Sequence, residues 1–142
     1  MRYEAYEPRH FDENMGAILS LALRRYPHVY VARMATITND HPEEHELATA
    51  HYPTGMEKNM KKFHLLVMKC DRVVREVAHD LGVELLDFHA LFDNTEARRT
   101  FTGSCHMNPE GARRMASVVS EAIVRHERSQ PSLPRTTAAP TR

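Results

Sequence analysis

The amino-acid sequence predicts an α/β domain built on a parallel sheet. Two observations support this fold class. Segments whose apolar residues recur at helical spacing alternate with short segments rich in Val, Tyr and Leu, in the order helix, strand, loop, helix, strand, turn, helix. Strands that alternate with helices favour parallel pairing through right-handed crossovers. A chain of 142 residues is long enough to enclose one hydrophobic core of this kind.

The first helix and the first strand are predicted within residues 11–36. Apolar residues of the segment 11–25 recur three or four positions apart, as in an amphipathic helix: Met15, Ile18, Leu19, Ala22 and Leu23. Asp12 is a suitable N-cap for this helix, and Pro27 stops it. The next segment is rich in β-branched and aromatic residues, so we predict a strand over 28–36.

A second, longer helix is predicted over residues 57–81, and Gly82 ends it in the C′ position. Its apolar stripe is continuous: Met60, Phe63, Val67, Cys70, Val74, Val77 and Leu81. A short buried strand follows over 83–88. Ligands of parallel sheets gather at the carboxyl ends of the strands, so the segments that follow the two strands are the expected location of a functional site.

The last helix is predicted to begin near Asn108, with Pro109 in its first turn, where proline is tolerated. From residue 128 onward the sequence has no periodicity and is rich in Pro, Thr and Ala. We therefore predict a domain over residues 1–127 and a disordered tail over 128–142.

Composition excludes several classes of protein. Basic and acidic residues both number 19, so the net charge is zero, which argues against a nucleic-acid binder or a protein that binds acidic membranes. The two cysteines, Cys70 and Cys105, are too few for a disulfide framework and are predicted to be buried free thiols. With neither a targeting segment nor an apolar stretch long enough to cross a bilayer, the sequence predicts a cytoplasmic location.

The polar segment 38–55 is rich in histidine and contains HPEEH, which fits the H-x-x-E-H pattern of inverted zinc proteases. In that interpretation His41 and His45 are zinc ligands, Glu44 is the general base and His51 is a third ligand. The alternative is a solvated loop, because Pro42 confines His41 to the start of any helix. Zinc binding is therefore a minor hypothesis, and no cofactor is predicted.

The segment FTGSCHMNPEGARRMASVVSEAI, residues 101–123, is similar to the last conserved block of the SGNH, or GDSL-type, hydrolases. His106 falls on the histidine of that family, NPEGARRMA matches its helix entry, and VELLDFHALF resembles the strand that precedes the histidine. The upstream helix and strand resemble the family's penultimate pair. In total the resemblance covers about residues 11–126, and its most specific part is the block around His106.

The resemblance implies the family's three-layer α/β/α sandwich with flavodoxin-like topology, and a hydrolase of acyl esters. In that family a serine is the nucleophile, a histidine the general base, and an aspartate three positions before the histidine orients it. This chain contains no Gly-Asp-Ser block, and Gly103 stands at the position of the aspartate. The chain thus corresponds to the C-terminal part of such an enzyme without the N-terminal part.

The predicted function is therefore that of a truncated or degenerate SGNH-type hydrolase of small esters, with His106 as its catalytic residue. We expect it to form homo-oligomers or to pair with a complementing N-terminal half. Ser104 or Cys105 next to His106 is an alternative nucleophile, and three residues are alternative acids: Asp40, Asp87 and Asp93. A non-catalytic interaction or remnant domain is the competing function, and it would bind neither nucleic acid nor membranes.

Overall fold

The structure, a computed structural model, describes residues 5–52 and 58–129. Along these residues lie eight elements: α1 (Arg9–Arg25), β1 (Tyr30–Arg33), α2 (Glu44–Thr49), α3 (Met60–Leu81), β2 (Glu84–Asp87), α4 (Phe88–Leu91), α5 (Thr95–Arg98) and α6 (Pro109–Ser129).

The predicted three-layer α/β/α sandwich is wrong. β1 and β2 pair in parallel, from Tyr30 opposite Glu84 to Arg33 opposite Asp87, and the described part of the chain has no further strand. Helices account for 62% of the described residues. Only two segments of the sequence have strand composition, and two strands of four residues are too narrow to separate two full helical layers.

Both strands are also shorter than the predicted ranges of 28–36 and 83–88. Beyond Arg33 the chain leaves the pair, and the N–H of Ile37 donates to the carbonyl of Ser104 at 3.2 Å instead of to a neighbouring strand. At the end of β2 the carboxylate of Asp87 accepts from the N–H of Ala90 at 3.0 Å and begins α4. Polar groups at the strand ends thus stop the pairing.

The two long N-terminal helices pack against each other on one side of the strands. Leu19 of α1 is buried with a group of residues on and after α3: Val73, Val77, Ala78 and Val83. Val31 and Leu85 pack against the same cluster from the strands. The helical periodicity of the sequence therefore predicted these two helices correctly.

The ends of these helices follow local capping rules. α1 begins at Arg9, earlier than predicted, so Asp12 lies in the first turn instead of at the N-cap. α3 begins at Met60, where the side chain of Asn59 accepts from the N–H of Lys62 at 3.1 Å. Gly82 ends α3 with a φ of 65°, a left-handed conformation that favours glycine and confirms its predicted role.

A second core lies between the strands, the short helices and α6. Its buried residues include Ile37, Leu86, Phe92, Phe101 and Ala122. The rings of Phe92 and Phe101 meet edge to face with their centroids 5.2 Å apart. α6 begins at Pro109, as predicted, and continues to Ser129. The predicted disordered tail lies outside the described residues from position 130 onward.

An ion-pair network joins three elements at the carboxyl ends of the strands. The Arg33 guanidinium donates to Asp87 on β2 at 2.7 Å and to Asp71 on α3 at 3.0 and 3.1 Å. Asp71 is 4% exposed, so its charge is desolvated and depends on this partner. Burial opposes the charge of Arg33, but the two carboxylates raise the pKa of its guanidinium above the ordinary value.

No helix among the described residues is both long enough and apolar enough to cross a lipid bilayer. Several large apolar side chains are nevertheless exposed: Ile18 and Leu21 on α1, and Ile123 and Val124 on α6. The outer edges of a two-stranded sheet also present unpaired backbone groups. Apolar surface and open edges together favour association with another chain.

We expect the purified chain to self-associate and the double substitution Ile18→Glu, Leu21→Glu to weaken that association. Ile18 is 64% exposed and Leu21 47%, so charging both removes apolar contact area without disturbing a core. Light scattering coupled to size-exclusion chromatography measures the change in mass. Ala17→Glu, on an exposed position of the same helix, is the control. A wild-type chain that stays monomeric at high concentration would contradict the expectation.

Candidate functional site

His106 lies in a tight loop between α5 and α6. Phe101 and Met107 form an isolated antiparallel bridge across the base of this loop, and the N–H of Thr102 donates to the carbonyl of His106 at 2.8 Å. These bonds fix the backbone and leave the His106 side chain exposed. The loop therefore presents the histidine to solvent on a rigid support.

The start of α6 is held close behind this loop. The Asn108 side chain accepts from the N–H groups of Glu110 and Gly111, each at 3.0 Å, and caps the helix. A Cβ at position 111 would lie 2.9 Å from both Met107 Cβ and Thr100 Oγ1. Such a distance is shorter than real Cβ contacts allow, so only glycine lets α6 begin this near to the loop that carries His106.

His106 borders a shallow groove of about 380 Å³. The other residues that line it are mainly apolar: Met34, Ala35, Cys105, Met107, Ala112 and Met115. Cys105 is exposed at the edge of this groove, so the expectation that both thiols are buried is wrong for Cys105. Cys70 is partly buried, and burial, together with the nearby Asp71, raises the pKa of its thiol. The groove can hold a small apolar group beside an imidazole.

Ser104 has a structural role. Its hydroxyl donates to the carbonyl of His51 at 2.6 Å and accepts from the N–H of His51 at 2.7 Å. The residue is 7% exposed, and its own carbonyl accepts from the N–H of Ile37. With both functions of the hydroxyl engaged by backbone groups, Ser104 holds the segment after β1 against the His106 loop and is poorly placed as a nucleophile.

The structure brings His106 and His51 together on either side of Gly103. A Cβ placed on Gly103 would lie 3.4 Å from Nδ1 of His106 and 3.0 Å from Nδ1 of His51. The position that is aspartate in the SGNH hydrolases thus lies against Nδ1 of His106. That nitrogen is the one that the acid of a catalytic triad contacts.

The three alternative acids have other surroundings. The carboxylate of Asp87 is bonded to Arg33 and caps α4, while Asp40 and Asp93 are exposed. The carboxylate of Asp40 acts electrostatically on His64. None of the three forms a hydrogen bond with His106 among the residues that the structure describes.

A fully buried carboxylate holds the segment that packs against the His106 loop. Glu46 in α2 is 0% exposed, and its side chain binds the Arg98 guanidinium, Asn39 Nδ2 at 2.9 Å and the N–H of Glu43 at 2.8 Å. Burial by itself would raise the pKa of the Glu46 carboxyl, but these hydrogen bonds lower it below its ordinary value. Glu46 therefore remains charged and fixes α2 to α5.

His64 on α3 lies under the segment that follows β1. Its Nδ1 is 3.3 Å from the hydroxyl of Thr38, and it interacts electrostatically with Asp40, His89 and Asp71. Burial lowers the pKa of His64, and the positive charge of His89 lowers it further, while the two carboxylates act in the opposite direction. His89 Nδ1 is itself buried without a hydrogen-bond partner. In this setting the His64 ring favours its neutral form.

The HPEEH residues are not arranged as a zinc protease site. α2 begins at Glu44, so His41 lies before the helix and cannot share a helical face with His45. Across residues 5–52 and 58–129, no three side chains of the His, Cys, Asp or Glu type are grouped so that they could hold a metal ion. Two of the predicted ligands have other surroundings: His45 Nδ1 is 3.4 Å from Glu43, and His51 lies beside Gly103.

Comparison of the chain with family models, with curated proteins and with solved structures gave no match. The resemblance to SGNH hydrolases therefore stays a prediction from sequence.

Sequence reasoning missed the polar residues that build the site: Glu46, Arg98, His64 and Arg33. Glu43 and Glu46 form a capping box, but the usual signature has Ser or Thr at the first position. An E-x-x-E spacing is therefore the one local signal that could have indicated α2. The remaining contacts join residues that are far apart in the chain, so no local sequence pattern predicts them.

We expect Glu46→Gln to reduce the free energy of unfolding by about 3 kcal/mol, because it leaves the Arg98 guanidinium beside a neutral group in a buried setting. Urea unfolding followed by circular dichroism measures the loss. Glu44→Gln, two positions away in sequence and exposed, should change stability by less than about 0.5 kcal/mol. Equal losses in the free energy of unfolding for the two substitutions would show that the buried Glu46–Arg98 pair adds no more stability than an exposed charge does.

Stability should also fall as the pH drops below about 6.5, the ordinary pKa of histidine. The folded state lowers the pKa of His64, so the unfolded chain takes up a proton at a higher pH than the folded chain. Stability is therefore complete above that range and decreases until the pH reaches the folded pKa. His64→Gln should flatten this slope in urea titrations between pH 5 and 8, whereas His79→Gln, an exposed position of α3, should not. If His64→Gln left the slope unchanged, the pKa of His64 would have to be the same in the folded and unfolded states.

Proposed function

We propose that this chain carries the general-base part of an SGNH-type ester hydrolase site, with His106 as the base and a complementing N-terminal half as the source of the serine nucleophile. One observation carries the proposal. The position three residues before His106, at which the family has its acid, lies against Nδ1 of the His106 ring.

The geometry supports a base more than a ligand or a structural histidine. His106 is exposed on a loop that two backbone hydrogen bonds and a bridge hold, and it lines an apolar groove. A small acyl group in this groove would sit beside the imidazole, while a serine from the complementing half would approach from solvent. Proton transfer by a positioned histidine contributes about 10²–10⁴ in rate, so this half-site alone should hydrolyse esters poorly.

A second candidate is a non-catalytic interaction domain. The bonds of the Ser104 hydroxyl to the backbone of His51 favour it, because they occupy the nearest serine to His106. The exposed apolar residues of α1 and α6 support the same candidate. In this case the His106 loop is a remnant, and an acid restored at position 103 would have no defined relation to the imidazole.

We expect Gly103→Asp to make the His106 imidazole easier to protonate, because a carboxylate beside Nδ1 stabilises the imidazolium. A titration of the imidazole followed by NMR measures the shift. Gly103 does not have a positive φ, so the backbone accepts a side chain. The His51 ring must move by a few tenths of an ångström, and the double variant His51→Ala, Gly103→Asp gives the new side chain that room.

Gly16→Asp is the matched control, since it adds the same charge on α1 with open space around it. It should leave the His106 titration unchanged. If neither Gly103→Asp nor the double variant moves the titration more than this control does, the triad-like arrangement is refuted. A fluorophosphonate probe should not label the wild-type chain, and stoichiometric labelling of Ser104 would show that the nucleophile is already present.

A further inference from the structure

One edge of β1 has no neighbouring strand within the described part of the chain. The strand pairs with β2 on one side only. No other backbone segment of residues 5–52 and 58–129 is hydrogen-bonded to it. An edge of this kind presents a row of unpaired N–H and C=O groups. These groups define the chemistry of an occupant, which must be another extended backbone that adds to the sheet.

The sequence of this edge contains none of the usual obstacles to pairing. Natural edge strands are commonly protected by lysine or proline, and residues 30–34 contain neither. The one charged side chain of the strand, Arg33, is 11% exposed and is bonded to Asp71 and Asp87. Its charge is therefore neutralised within its own chain and does not repel a second strand.

The edge also has an exposed apolar face. Ala32 is exposed in the middle of β1, and Met34, which follows the strand, is 61% exposed. Because side chains alternate along an extended chain, both residues lie on the same face as Tyr30. Tyr30 is half-buried on this face, where its hydroxyl donates to the carbonyl of Ala122 in α6. A strand added to the edge would cover Ala32 and Met34.

We propose that the occupant is the β1 edge of a second copy of this chain, antiparallel to the first about a two-fold axis at Ala32. In this register each Ala32 lies opposite the Ala32 of the other copy, and each Tyr30 lies opposite the other Met34. Small side chains meet at the axis, and on either side a methionine sulfur contacts an aromatic ring. Because a two-fold interface is closed, association stops at the dimer.

Charge and length select this register. An axis at Arg33 would place two guanidinium groups opposite each other, and opposed like charges destabilise a strand pair. An axis at Val31 would place Met34 opposite His28, which precedes β1. With the axis at Ala32, Arg33 faces Val31 and no like charges are opposed. The net charge of zero also adds no long-range repulsion between the two copies.

The same pairing gives a role to the exposed apolar residues of α1. Leu19 of α1 packs in one cluster with Val31, so α1 lies on the Val31 face of the strand. An axis perpendicular to the sheet places the α1 helices of both copies on that one side of the joined sheet. Ile18 and Leu21 can then contact the other copy. The pairing is independent of the proposed hydrolase function, because it does not involve the imidazole of His106.

Exchange of charge at Ala32 tests the proposal. Ala32→Lys and Ala32→Glu each oppose like charges across the axis and should weaken the dimer by about tenfold or more in analytical ultracentrifugation. An equimolar mixture of the two variants should restore the dimer, because each Lys then faces a Glu. The matched control is the pair His79→Lys and His79→Glu on an exposed position of α3, which should leave the dimer unchanged.

A cysteine at the axis gives a second measurement, which needs no charged side chain to be accommodated. In a Cys105→Ser background, Ala32→Cys should form an intermolecular disulfide under mild oxidation. Directly opposed residues of antiparallel strands have Cβ atoms about 4.5–5.5 Å apart, near the range that a disulfide spans. His79→Cys in the same background should remain reduced much longer.

Three results would overturn the proposal. A wild-type chain that stays monomeric would show that the edge serves a different extended partner. A Lys and Glu mixture at position 32 that dimerises no better than either variant alone would show that Ala32 does not meet itself. Cross-linking of Ala32→Cys no faster than that of His79→Cys would place the interface elsewhere.

Discussion

The Arg33 guanidinium is the interaction on which the arrangement of this chain depends. A pair of four-residue strands is marginal by itself, because it buries too little apolar surface to offset the cost of ordering its backbone. Arg33 joins the end of β1 to β2 through Asp87 and to α3 through Asp71. The charges of Arg33 and Asp71 are largely withdrawn from water, so each requires its partner, and the three elements are held at one relative position.

Glu46 has the corresponding role in the segment that follows β1. This segment passes through α2. Ala35 and Ile37 bury it in the second core, and polar bonds join it to the rest of the chain from Glu46 to Arg98 and from the backbone of His51 to Ser104. Polar bonds have strict requirements of distance and angle, whereas apolar contacts tolerate sliding. These polar bonds therefore add a defined orientation to the buried base of the loop that carries His106, which suits a side chain that must be presented in one orientation.

The three long helices of this fold could be predicted from the sequence, and the layer architecture could not. Periodicity located α1, α3 and α6, and Gly82 and Pro109 marked an end and a beginning, because these signals act within a few residues. The three-layer sandwich failed because the number of strands is not a local property. The same distinction applies to the site. The position of His106 just before α6 follows from nearby residues, whereas its approach to His51 across Gly103 depends on contacts between residues about 50 positions apart.

The parallel pairing of β1 and β2 also has a consequence for the order of folding. Arg33 and Asp87 are 54 residues apart, and closing a loop of that length costs roughly 3.5 kcal/mol of chain entropy beyond its constant part. α3 lies within this loop and shortens it as it forms, since its own contacts are local. We therefore expect the helix to form before the strands pair. Until the strands pair, the side chains of Val31 and Leu85 are exposed to neighbouring chains. The chain is therefore more prone to aggregate during folding than after it has folded.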